Sequence, residues 1–361
     1  MLKGLERWLA SWLLRSRTRA PRSRSLIIAV CDHFEPFHDA DKATALARVA
    51  HWRRELSKIT AEFRDSGGTP PRHTFFFPIE QWDDDVCRSI SDLCGLTGCE
   101  MEIHLHHSDD TADNLRRTLI EGRDRLAALG QLSRDASGAL RYGFIHGNWA
   151  LDHSDPEGRA CGVADELSIL RQTGCYADFT LPSAPSGCQV RTINSLYYAR
   201  EDGRPRSHEH GQRVRAGAPR TEREDQLLLI QGPLGLNWRR RKWGILPRIE
   251  NGDLTGANPP GPLRLALWEK CHVHVAERPE WVFIKLHTHG AIERNSAALL
   301  GEPMRAFHRH LAQRAAADPG FRYHYVTARE MTNILHAAED DYRGDPANYR
   351  DHRYRRGAIG G

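Results

Sequence analysis

From residue 25 onward, short runs of β-branched and aromatic residues alternate with longer stretches whose apolar positions recur every three or four residues. That rhythm predicts repeated strand–helix units and a mostly parallel sheet, because parallel neighbours need a crossover that a helix supplies. Strands are expected at 25–34, 73–82, 99–107, 140–151, 176–182, 226–231, 281–289 and 321–327, with helices between them such as 40–64, 111–129, 163–173 and 295–316. Seven or eight such units suit an irregular, TIM-like α/β barrel better than an open, doubly wound sheet.

Two stretches break the rhythm. Residues 185–225 are polar, basic and rich in Gly and Pro, and residues 232–262 carry Trp238, Arg239, Arg240, Arg241, Lys242 and Trp243. Both read as long loop insertions at the barrel mouth. The Arg-Arg-Arg-Lys run reads as a solvated surface, with a flank for an anionic glycan or phosphate as the sharper alternative. Ahead of the barrel, residues 1–24 form a basic amphipathic segment. Leu2, Leu5, Trp8, Leu9, Trp12 and Leu13 recur at helical spacing, and Lys3, Glu6, Arg7 and Arg15 interrupt any apolar core of a cleaved signal. This helix is expected to meet a membrane surface or to dock on the barrel itself. Residues 341–361 lack periodicity and read as a flexible polar tail, leaving 25–340 as the main domain.

A length of 361 residues with 40% hydrophobic content allows a sizeable core. The 51 basic and 47 acidic residues nearly cancel to +4, so charge gives no reason to expect a nucleic-acid partner. The eight cysteines contain no CxxC pair and no regular spacing, which points to free thiols in a reducing, cytoplasmic setting, with peripheral membrane contact through residues 1–24 as an added option.

The twenty histidines matter through where they fall. The apolar run 25–31 ends in Asp32, His33 and Glu35, and a carboxylate buried there must be hydrogen-bonded or metal-bound. The run 99–105 ends in His104, His106 and His107, followed by Asp110; strand alternation puts Glu102, His104 and His106 on one face. Several imidazoles at a strand end form a metal signal stronger than any lone histidine. A third group, His146, Asn148 and Trp149 with Asp152 and His153, suits sugar binding, since an indole can stack on a pyranose. Asp178 follows a short helix and strand, where it could orient a catalytic His or cap a turn. In the last group, Lys285, His287 and His289 share a strand face, and either histidine could protonate a leaving group.

Together these segments resemble the polysaccharide deacetylase superfamily, carbohydrate esterase family 4, over about residues 25–335. The resemblance rests on Asp32 in the first motif, on Gly98, Glu100, Met101 and His104 in the second, on the Trp149-Ala-Leu-Asp and Gly174-Cys-Tyr-Ala-Asp segments, and on Lys285-Leu-His287. It implies an irregular (β/α) barrel that removes acetyl groups from a glycan using a divalent ion, Zn being expected. Asp32 would act as base or ligand. His33 stands where the family has a second Asp, with Glu35 as its replacement, and the histidine ligands are His104, His106 or His107, with Asp110. The rival readings are another metal-dependent amidohydrolase or phosphoesterase, and a non-catalytic glycan-binding or scaffold protein in polysaccharide assembly.

Overall fold

The computed structural model describes residues 4–15, 21–218 and 226–357. Helix α1 (Leu5–Leu14) precedes β1 (Arg24–His33), α2 (Lys42–Glu62), β2 (Thr74–Pro78), α3 (Asp84–Thr97), β3 (Glu100–Leu105) and α4 (Ala112–Ala128). A two-residue β4 (Ser133–Arg134), β5 (Leu140–His146), α5 (Glu166–Thr173) and β6 (Cys175–Asp178) follow. The second half holds β7 (Leu196–Arg200), β8 (Gly211–Arg213), β9 (Gln226–Ile230), β10 (Gly235–Lys242), β11 (Leu246–Glu250), α6 (Pro262–Cys271) and β12 (Trp281–Thr288). The last elements are α7 (Glu293–Leu300), α8 (Glu302–Ala317), β13 (Phe321–Val326), α9 (Ala328–Glu339) and β14 (Arg355–Arg356). Helices begin where short polar side chains satisfy free amides: Asp41, Asp83 and Thr111 cap α2, α3 and α4, and Thr327 with Glu330 forms a capping box on α9.

The fold is mixed α/β around one large sheet, ordered β12-β1-β2-β3-β5-β6-β9-β7-β8. Pairing is parallel from β12 to β9, whereas β7 and β8 are antiparallel. Strand β13 pairs with Arg24 to Ala29 of β1, and β2 takes over at Cys31 to His33. Alternation along β1 divides the core. Leu26, Ile28 and Val30 pack with Trp52 of α2, Ile90 of α3 and Phe307 of α8, while Ile27, Ala29 and Cys31 share a second cluster with Met331, Ile334 and Leu335 of α9.

Three regions depart from the sequence reading. The expected loop insertions contain strands: β7 extends the sheet through β9, with Leu196, Tyr197 and Ala199 buried, and β10 and β11 form a hairpin. Its basic run, Arg239 to Lys242, is exposed, and its tight turn places Trp243 (φ 53°) and Gly244 (φ 72°) in the left-handed region. Residues 341–357, expected as a flexible tail, fold back instead. There β14 pairs with β4, Asn333 donates to the carbonyls of Arg350 and Tyr354, and Tyr354 stacks 5.1 Å from Tyr176. Side-chain bonds to backbone hold this segment, so no apolar period marks it. Helix α1 docks on the protein, burying Trp8 against Ala184 and Leu234 beside Ile249 of the hairpin. Residues 1–3, 16–20 and 358–361 of the two expected terminal segments lie outside the described residues. No helix among the described residues is long and apolar enough to cross a membrane.

Candidate metal centre

The catalytic candidates gather at the C-terminal ends of the parallel strands, where βα loops converge. Alternation at the end of β1 decides the roles there. His33 continues the Ala29–Cys31 face, and its ring lies 4.9 Å from His104 and 4.7 Å from His289. Asp32 points the other way. It is fully buried, accepts a 2.6 Å bond from the Gly290 amide and lies 2.8 Å from His73 Nε2. A Cβ at Gly290 would sit 2.1 Å from Asp32 Oδ2, so the close approach requires glycine. Asp32, expected as a ligand, is in neither metal-competent group among the described residues.

His33, Glu35 and His104 are buried, and one donor atom from each lies within 4.8 Å of the others. His104 Nδ1 donates to the Ile145 carbonyl at 2.9 Å, so Nε2 is the nitrogen that faces Glu35 Oε1, at 3.2 Å. Two acceptor atoms that close need a cation or proton between them. The spacing matches the roughly 3.0–3.4 Å ligand edge of an ion bound at about 2.1 Å. His33 Nε2 is buried without a hydrogen-bond partner, as a nitrogen that ligates an ion would be. Burial, joined by the charges of His289, His104 and His287, holds His33 well below the ordinary imidazole range, in the neutral form that ligates. Burial pushes the Glu35 carboxyl up, but the His104 hydrogen bond and the surrounding imidazoles outweigh it and leave it below the usual range.

His106 adjoins this group, with Nε2 3.5 Å from Glu35 Oε1 and Nδ1 2.7 Å from Glu80. Burial lowers its pKa, yet the Glu80 bond and charge, with Glu35, raise it overall. His289 and His287 are both pushed down, burial being the largest cause. Both are therefore held toward the neutral form. The Trp149 ring lies 6.0 Å from both His33 and His289, and Asn148 beside it is exposed. Both residues adopt φ 56°, a left-handed turn that brings the indole over the site.

Other expected members lie elsewhere. Asp178 accepts from the Thr180 amide and hydroxyl at 3.0 and 2.6 Å, and its carboxyl is pushed up to about 7 by burial; among the described residues no histidine hydrogen-bonds it. The buried Lys285 ammonium donates to the Phe179 carbonyl at 2.6 Å and is pushed down to about 8 by burial. His107, Asp110 and His146 belong to a separate cluster around Glu166. The sequence reading did not find Glu80, His73, Cys161 or Glu166. Glu80 alone had a signal, as a carboxylate just past the aromatic strand Thr74–Pro78.

No family model matches the chain, and no curated protein matches it. Among solved structures, an α-mannosidase from Enterococcus faecalis is similar at a TM-score of 0.41 and 8% identity; the match covers 89% of this chain but only 30% of the mannosidase chain.

Proposed function

We propose that the protein is a metal-dependent hydrolase that removes acetyl groups, as amide or ester, from a carbohydrate. The observation that carries this reading is the His33–Glu35–His104 group, buried at the strand ends with one donor atom from each side chain within 4.8 Å of the others. The N/N/O donor set fits Zn, which when bound would lower the pKa of a water and polarise an acyl carbonyl. His289, neutral and next to His33, takes the proton from the attacking water. Asp32 positions it through the adjacent Gly290 amide. His106, whose pKa Glu80 raises, returns a proton to the departing amine or alcohol. Trp149 offers its face to a sugar ring.

A distorted barrel is part of the same reading. It is supported by residues 273–276, which take a hydrogen bond from Phe283 of β12 and give one to Val214, just past β8, so the two ends of the sheet approach each other. One observation favours a second reading: with both Asp32 oxygens engaged, a glycan-binding protein without turnover is the alternative.

Zinc-loaded protein is expected to release acetate from N-acetylated chito-oligosaccharides or acetylated xylan, and the Glu35→Gln variant is expected not to. Binding of these glycans without acetate release would favour the alternative. Phosphate release from aryl phosphates in its place would overturn the deacetylase assignment.

A further inference from the structure

A second cluster lies beyond the proposed catalytic group. His107 follows β3, His146 ends β5, Cys161 sits in the loop after it, and Glu166 opens α5. Glu166 Oε1 lies 3.2 Å from His107 Nε2 and 3.6 Å from His146 Nε2, while Cys161 Sγ is 3.5 Å from Glu166 Oε2. One donor atom from each of the four side chains lies within 4.8 Å of the others. We propose that His107, His146, Cys161 and Glu166 form a second, closed site for a divalent cation of the zinc class, structural in role and separate from the catalytic group.

Three observations support a built site. First, the outer nitrogens are already committed: His107 Nδ1 lies 3.0 Å from Asp110 Oδ2, and His146 Nδ1 bonds the Gly147 carbonyl. Each ring therefore presents Nε2 inward as a lone pair, oriented by an oxygen behind it, as metal-bound histidines are. Second, His146 is fully buried and its Nε2 has no hydrogen-bond partner. A charged His107 between Asp110 and Glu166 would be satisfied without a cation, but that would still leave the His146 nitrogen orphaned. Third, Cys161 Sγ is buried against the group, receiving the Val163 amide at 3.4 Å and lying 3.5 Å from Glu166 Oε2. Two imidazoles, a thiolate and a carboxylate make a complete tetrahedral set with no place left for water, the mark of structural rather than catalytic zinc. A tetrahedron with Zn–N near 2.0 Å and Zn–S near 2.3 Å has edges of roughly 3.3–3.8 Å. Loading would thus draw the donors together.

The site would join the loops that follow β3 and β5. Between His146 and Glu166 the backbone carries Asn148, Trp149, Asp152, His153 and Cys161 at positive φ, from 50° to 75°. An ion here would hold that strained loop, and with it Trp149, in one shape.

Metal analysis with cobalt as probe tests this. Purified full-length protein, stripped with chelator and reloaded with Co²⁺, is expected to bind two equivalents and to show near-ultraviolet thiolate-to-cobalt absorption. Cys161 is the one cysteine in either metal-competent group. Cys161→Ser should abolish that band and lower the count to one, and Glu35→Gln should lower the count to one while keeping the band. If Cys161→Ser does not fold, the wild-type spectrum decides alone, because a missing band overturns the proposal. So does a Cys161→Ser protein that still binds two ions. A band with two ions but no acetate release leaves this site standing and removes only the hydrolase assignment.

Discussion

The two histidine clusters share one strand end yet differ in donor set and in what surrounds them. The group of His33, Glu35 and His104 uses nitrogen and oxygen donors and borders Trp149, His289 and the part-exposed His106. The group around Glu166 adds a sulfur donor and a fourth ligand, and its carboxylate is fully buried. Within four residues, β3 and its following turn send His104 and His106 to the first and His107 to the second. A metal that must activate water needs an unfilled coordination position and neighbouring proton carriers; one that fastens loops needs neither. The first group should control rate and the second stability.

The largest expected effect is on the first group. Glu35→Gln should reduce turnover roughly a thousandfold, about 4 kcal/mol of barrier, with a smaller fall in melting temperature than loss of the closed site causes. Equal loss of stability in this variant would erase the contrast. Next, Cys161→Ser should lower the melting temperature by roughly 5 °C, the effect of losing about 4 kcal/mol of ion binding, while turnover stays within a few-fold; calorimetry with and without chelator reads this. Third, Glu80→Gln should lower turnover about tenfold at neutral pH. Because Glu80 raises the His106 pKa, its removal should move the alkaline limb of the kcat/KM profile to lower pH. A shift to higher pH would argue against His106 as the acid. Smallest is Trp149→Ala, expected to raise KM several-fold with kcat nearly unchanged, as loss of a stacking surface should.

Much of the fold was legible because burial on both faces writes parallel strands as continuous apolar runs; all eight expected strands are present in order. The strands at 196–200 and 211–213 were hidden because β8 is wholly exposed and both lie among charged residues. The site was legible as strand-end histidines, but not in its division. Alternation favours pairing His104 with His106, and both do face Glu35. It does not show that Asp32 turns to His73, a residue 41 positions away. Nor does it show that Glu166, at the start of a distant helix, collects His107 and His146. Those contacts arise from chain crossings that no local period encodes.

Anomalous diffraction at the zinc edge from metal-loaded crystals measures the central assignment most directly. A peak bounded by His33, Glu35 and His104 is the expected result. Zinc confined to the His107–Glu166 cluster, with the first group empty, would contradict it.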